Sequence, residues 1–514
     1  MSRMTAIVAL LVLSGSALAA DLKSLEQASP QVRADAARFA QLMSRVLAAI
    51  ESQYVRPVER SALVEAAIAG LFEAVREPLP AGIRNDLARA RSNREFEYLL
   101  AAARAHLGDS DILRDHRALL ISMKALPRTL DPYCGVPTAT EQRRNQMSEP
   151  DYGLGLEFDL PVELPFINDP LAADNAAPNQ NAPPGPYRIL TVHAGSPAQR
   201  AGLRPGDMIT HVGGQSTSGN LGPALLRRIT FYSREGRGGS LEVTVRRADR
   251  TEPLNATLTA GAFAPEWIFG VRRTADNHWS FMLDSQARIG YVRIGFIDQG
   301  APGQLENALR DLASNGMKGL IVDLRDCPGG YVDPAVEVVS MFVPSGTIAT
   351  VSDRTQGQQR HQTSGRHIQL GKIPIIALVN GATMGGGEMI ASALQDHNVA
   401  KICGQRTFGK GSVQRSPPIP ELGYAFKLTT GLFTRPNGKN LHRFPDSKTD
   451  DDWGVRPSEG FELPVPPDLQ RQLKDWYTQI ILRPGNSREP LPLDDPDNDP
   501  VRQFATREIK KLLK

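Results

Sequence analysis

The first long pattern in the chain is a three-to-four-residue recurrence of apolar positions. Phe39, Leu42, Val46 and Ile50 repeat at that spacing, and Leu63, Ala67, Gly70 and Leu71 do the same. That is the period of one helix face, so the spacing predicts helices from about 31 to 130, cut by Pro57, Pro78 and Pro80. From 152 to about 260 the period shortens to that of strands. Residues 189–192 and 241–245 read as β-runs, and 223–229 as a short helix with proline in its first turn. The stretch 169–186 is rich in Pro, Asn and Ala and reads as a long loop between two strands. From 288 to about 463 compact β-rich runs (289–294, 319–324, 373–379) alternate with helical patterns. Such alternation predicts a parallel or mixed sheet with crossover helices. After 466 one helix is predicted around 469–481, then an Asp/Pro-rich stretch at 490–500 and a short basic helix.

Length and composition add boundaries. A chain of 514 residues exceeds what one core holds, so several domains are expected. At 41% hydrophobic and 22% charged, most of it should fold. The net charge of +3, without a basic run, gives no case for nucleic acid. The first twenty residues combine Arg3, an apolar run over 6–13 and a small-x-small site at 17–19. That pattern is a signal peptide, too short to span a membrane. The mature protein is therefore expected to be exported and soluble after removal of the leader, periplasmic or extracellular, most simply in a bacterial periplasm. Cys134, Cys327 and Cys403 are an odd set without metal-ligand spacing and are read as small buried hydrophobes. The histidines are scattered, and no cofactor or metal is expected.

Chemistry is carried by glycine-containing strings. Residues 152–158 (YGLGLEF) alternate glycine with apolar residues, an arrangement in which successive N–H groups can form an anion nest. Residues 195–198 (GSPA) and 201–209 (AGLRPGDMI) follow. Together they resemble a bacterial-type PDZ domain. The resemblance implies strand-addition binding of a chain terminus, with Leu154, Gly155 and Leu156 as the carboxylate loop.

Three further strings resemble the carboxy-terminal processing (tail-specific) peptidase family. Residues 130–133 (LDPY) resemble its LDPH. Residues 322–330 (VDLRDCPGG) match DLRxNPGG, with Cys327 for asparagine. The third string runs from 387–388 (GE) through 393–396 (ALQD) to 404–414 (GQRTFGKGSVQ), with Gly387 standing for a serine. An insert at about 73–117 is unfamiliar. The resemblance implies a multidomain α/β protein: a crotonase/ClpP-like αβ peptidase core with an inserted PDZ domain and a helical N-terminal region. The expected layout is a leader at 1–20, helices at 21–135, PDZ at 150–260, core at 261–465 and a tail at 466–514.

It also implies serine acyl transfer with Lys410 as general base, made neutral by burial beside apolar Phe408, and oriented by Gln414. Gly329, Gly330 and Gly386 would supply oxyanion N–H groups. The nucleophile position, counted back from Glu388, is Gly385, which has no side chain. Residues 374–388 (PIIALVNGATMGGGE) instead resemble the crotonase strand and GGG turn, which holds anions on its N–H groups. Three readings stand together: a tail-binding protein with hydrolysis lost or weakened, an active peptidase using Thr383 or Ser412 with Lys410, and a crotonase-like acyl enzyme. The expected partners are unfolded or tail-exposed polypeptides, bound through their C-termini. No nucleic acid and no integral membrane span are expected, and an adaptor protein is left open.

Overall fold

The computed structural model describes residues 25–137, 151–158, 185–193, 195–218, 240–248, 250–274, 278–416, 418–419, 424–482 and 499–514. The leader at 1–20, the helix at 223–229, and nearly all of the 169–186 loop and the 490–500 stretch lie outside the described residues. By contacts the chain divides into two compact units. The first joins Met1–Pro137 with Val351–Gln359 and Ser412–Leu432; the second holds the rest.

The first unit is helical, as its apolar spacing predicts. Helices α1 (Pro30–Gln53), α2 (Arg60–Val75), α3 (Ile83–Arg89), α4 (Asn93–His106) and α5 (Arg117–Ala125) share one core. The 39/42/46/50 stripe is buried there, each residue 5% exposed or less. Ser29 caps α1, its Oγ accepting from the Val32 N–H, and Pro30 sits at the first helical position. The unfamiliar insert continues the same bundle. Ser92 and Glu95 form a capping box on α4. Phe426 and Leu428, from far along the chain, join this core.

The second unit contains two sheets that position the candidate sites. One runs in the order β2–β3–β4–β5–β6, where β2 is Leu156–Phe158, β3 Tyr187–Val192, β4 Met208–Val212, β5 Ser240–Arg246 and β6 Leu254–Thr259. A short strand β1 (Asp151–Gly153) pairs elsewhere, with Gly261–Phe263. The other sheet has β7 (Met282–Asp284) antiparallel to β8 (Ile289–Ile294). Then β8, β9 (Gly319–Asp323), β10 (Ile375–Val379) and β11 (Lys401–Gly404) run parallel. Every residue of β8, β9 and β10 is buried. Continuous burial is the mark of a parallel sheet covered on both faces. The crossovers carry α7 (Ala301–Ser314), α8 (Val332–Phe342) and α9 (Gly386–Asp396), numbered after the one-turn α6 (Pro197–Arg200). From the tail, α10 (Pro467–Leu482) and α11 (Pro500–Leu512) bury Leu473, Trp476, Val501 and Ile509 against Ile289, Ile321 and Ile376. No helix among the described residues is long and apolar enough to cross a membrane.

Candidate active site

The glycine turn follows directly from β10. The strand ends at Val379, the chain reverses through Asn380–Met384, and α9 begins at Gly386. Gly385 has φ +57 and ψ −118, a conformation that side chains rarely adopt. A Cβ there would nonetheless have room, its nearest neighbours being Pro328 O at 3.7 Å and Gly329 Cα at 3.9 Å. The turn lies against the loop that leaves β9. Met384 N–H donates to Cys327 O at 2.9 Å. A Cβ on Gly329 would fall 2.7 Å from Gly386 N, and one on Gly330 only 2.0 Å from Ile297 O. These glycines are required by close approach of backbones. Gly386 N–H, at the first position of α9, and Gly330 N–H donate to no acceptor among the described residues. The Gly330 nitrogen is 3.5 Å from where a Gly386 Cβ would sit, so the two donors are neighbours.

Glu388 ties this turn to the lysine loop. It is fully buried, and its Oε2 accepts from Gly385 N–H at 3.0 Å and from Lys410 N–H at 2.7 Å. Its Oε1 accepts from Gly409 N–H at 2.7 Å and from the Thr407 hydroxyl. One carboxylate oxygen thus joins the backbones of Gly385 and Lys410. Burial pushes the Glu388 carboxyl up to about 7, against the pull of these four donors.

The apolar cover expected for Lys410 is a correction. Phe408 is 39% exposed, and Lys410 is half-buried. The loop is instead held by polar contacts. Phe408 N–H donates to Thr383 O at 3.0 Å, and Arg443 N–H donates to Gly409 O at 2.8 Å. Thr383, the alternative nucleophile, is fully buried. Its Oγ1 donates to Leu324 O at 2.8 Å and accepts from Asn380 N–H at 3.0 Å. That hydroxyl is committed to joining two loops and has no face toward a substrate. Gln414 lies in the first unit, where its Nε2 donates to Ser412 Oγ at 2.8 Å and to Thr429 Oγ1 at 3.3 Å. Ser412, the other alternative, is 5% exposed. All three cysteines are buried thiols, and burial pushes Cys327 and Cys403 up to about 12.

The second candidate site is the loop before β2. Leu154 and Leu156 are each 2% exposed, packed with Ile189, Val192 and Ala198. Gly155 has φ +72, and a Cβ on it would stand 2.2 Å from Ser196 Cβ. The loop's carbonyls are taken, Leu154 O by Ala198 N–H and Gly155 O by His193 N–H, both at 3.0 Å. Within its sheet β2 pairs only with β3 among the described residues, which makes it an edge strand. The 201–209 string has a structural purpose. Asp207 forms a buried bidentate pair with Arg247, both contacts at 2.8 Å, and accepts from Arg204 N–H at 2.9 Å.

Comparison with known proteins finds two matching domain models. Residues 288–449 match the model of peptidase family S41, and residues 188–247 match a PDZ domain. Over those two stretches the chain is similar to S41 peptidases and to PDZ domains. Its homologues are named carboxy-terminal-processing proteases. The Bartonella bacilliformis protein of that name is 29% identical over 279 residues, which are 53% of this chain and 57% of the relative. A Staphylococcus aureus "Probable CtpA-like serine protease" is 29% identical over 249 residues, 48% of this chain and 46% of its own length. The chain therefore spans about half the length of these curated relatives. Among solved structures, a photosystem II D1 C-terminal processing protease is 19% identical. The match covers 88% of this chain and 99% of that one, with a TM-score of 0.41.

The sequence reading missed Asn380, Asp326 and the acceptor role of Glu388. The signal for the last was present, because a glutamate three residues into a helix can reach back to the N-cap N–H.

Proposed function

We propose that this protein is exported, captures the C-terminal tails of unfolded or tail-exposed polypeptides through its PDZ domain, and presents them to a peptidase centre that lacks its nucleophile. The observation that carries the reading is Gly385. The position that the family resemblance assigns to the serine has no side chain, while the surrounding parts remain. Gly330 and Gly386 keep adjacent N–H donors suited to an oxyanion, Lys410 is tied to the same carboxylate as Gly385, and Gln414 stands in its family position. The Thr383 hydroxyl is already spent on Leu324 and Asn380, which argues against it as a substitute. The edge position of β2 supports strand addition of a ligand. The leader-like first twenty residues support export, and mass spectrometry of the N-terminus after secretion checks it.

The deciding experiment compares the wild type with Gly385→Ser on one unfolded substrate with a free C-terminus. The wild type should give at most the residual cleavage that positioning and oxyanion donors allow. Gly385→Ser should raise cleavage by at least about 100-fold, because a base-activated nucleophile is restored. Its backbone strain, about 1–3 kcal/mol at such a φ, should appear as lost stability. Vigorous wild-type proteolysis that Thr383→Ala abolishes would overturn the reading.

A further inference from the structure

The loop that carries Gly329 and Gly330 is rooted in a buried charge network that reaches the end of the chain. Arg325, just before the loop, is 5% exposed, and its guanidinium is shared between two carboxylates. Nε and Nη2 donate to Asp323 at 2.9 and 2.6 Å. Nη1 and Nη2 donate to Asp499 at 3.0 and 2.9 Å, across a separation of 174 residues. Tyr477 on α10 closes the arrangement. Its hydroxyl donates to Asp499 Oδ2 at 2.6 Å and accepts from Arg325 Nη2 at 2.9 Å. Arg293 lies over the Tyr477 ring at 4.1 Å and donates to Asp323 at 3.4 Å and to Asp326 at 3.2 Å.

Asp499 also caps α11, its Oδ1 accepting from Arg502 N–H at 3.0 Å. A cap needs only a side-chain oxygen. It does not need a bidentate guanidinium and a tyrosine hydroxyl on a 2% exposed carboxylate. Burial alone would raise the Asp499 carboxyl, but Arg325 overcomes this and holds it well below the usual range. The charge is therefore directed at Arg325.

From Arg325 the chain passes through Asp326, a non-glycine residue at φ +58. Asp326 N–H donates to Asn380 Oδ1 at 3.0 Å, and Asn380 Nδ2 donates back to Asp326 Oδ1 at 3.1 Å. Asn380 Oδ1 also accepts from Ala382 N–H at 3.1 Å, in the turn that leads to Gly385. Arg325 thus stands at the root of a pair of loops that are hydrogen-bonded to each other. We propose that Asp499 is a positioning residue of the peptidase centre: its ion pair with Arg325 fixes the loop that aims the Gly330 N–H. The orientation of the loop would then depend on a docked C-terminal helix. That helix is seated closely, since a Cβ on Gly319 would fall 2.4 Å from Ile509.

That the loop holds an anion rests on the function proposed above; that Asp499 sets its position does not. The full-length chain with Asp499→Asn keeps a good cap and loses the charge. Amide hydrogen exchange is followed for peptides covering 326–331, 500–512 and 30–53. Exchange in 326–331 should rise at least about tenfold, because the buried Arg325 loses one of the two carboxylates that fix it and keeps only Asp323. The other two should change less than about twofold, as expected when a cap is conserved. Tyr477→Phe removes two hydrogen bonds, to Asp499 and from Arg325, and no charge, and should raise exchange at 326–331 by about threefold. It decides the matter should Asp499→Asn fail to fold. In the Gly385→Ser background, a cleaving enzyme with Asp499→Asn added should lose kcat with little change in KM. Unchanged exchange at 326–331 in the folded variants, or an equal rise in all three peptides, would overturn the proposal. An inert Gly385→Ser protein counts against the function proposed above, and the exchange result still decides this one.

Discussion

Two loops of this chain are proposed to hold anions on backbone N–H groups, and they are supported by opposite means. The 154–156 loop is backed by hydrocarbon. Leu154 and Leu156 point into a cluster with Ile189, Val192, Ala198 and Leu203. The 385–387 turn and the 326–330 loop are backed by polar and charged groups: the buried Glu388 beneath one, and the buried Arg325 with Asp326 and Asn380 at the root of the other. Apolar backing is non-directional and insensitive to protonation. Polar backing imposes one geometry, but leaves it dependent on every partner and on pH. The PDZ-type loop should therefore behave as a passive receptor, and the peptidase centre as a conditional one.

The harshest way to break the comparison is to add a methyl group to each loop. Gly330→Ala places Cβ 2.0 Å from Ile297 O, and the two segments are already joined by Ile297 N–H to Gly329 O and Tyr331 N–H to Ile297 O. Backbone blocks backbone there, so the core should lose more than about 3 kcal/mol. Gly155→Ala places Cβ 2.2 Å from Ser196 Cβ at a positive φ. The damage should stay within its own sheet, abolishing peptide binding while the core transition persists. Calorimetry of the two variants checks this, and a core transition equally lowered in both would refute it.

A milder experiment titrates the charged support. Burial lifts Glu388 from an ordinary 4.5 to about 7. Between those values the folded state keeps a proton that the unfolded chain has released. The contribution is thus full below about pH 4.5 and lost as pH rises through 7, a fall of about 3 kcal/mol. Glu388→Gln cannot titrate. Its stability difference from wild type, measured by denaturant midpoints from pH 4.5 to 8, should change by that amount. A pH-independent difference would show that Glu388 does not titrate in this window.

How much of this was legible in sequence follows the range of each interaction. The N-terminal helices were readable because their stripe is local: residues 39, 42, 46 and 50 meet on one face. The joining of Phe426 and Leu428 to that core was not, since nothing local marks it. The same holds for the Cys134 thiol, which accepts from Thr429 N–H at 3.4 Å across 295 residues. The glycine strings announced both candidate sites, because tight backbone approach needs glycine whatever the partner. Asp499 stood in a stretch that read only as Asp/Pro-rich, and its partner is 174 residues away. Phe408 was misread for another reason. Being apolar does not bury a residue, and a loop pinned through its N–H groups can leave such a side chain outside.

The smallest expected effect sharpens the passive half of the comparison. A peptide added as a strand along β2 would gain main-chain hydrogen bonds from its whole length, and these do not depend on its terminus. The loop at 154–156 would add only the difference between a charged and a neutral terminal group. Hydrogen bonds to a charged group exceed neutral ones by about 1 kcal/mol. A peptide with a free carboxylate should therefore bind about five- to tenfold more tightly than its C-terminal amide. Calorimetric titration at two pH values separates the halves of the molecule. If the preference belongs to the apolar-backed loop, it should be the same at pH 6 and pH 8, since the side chains packed behind it, Ile189, Val192, Ala198 and Leu203 with Leu154 and Leu156, carry no ionisable group. A preference that follows the Glu388 transition would place the bound carboxylate at the 385–387 turn instead, and equal affinity for acid and amide would remove the carboxylate role from the 154–156 loop.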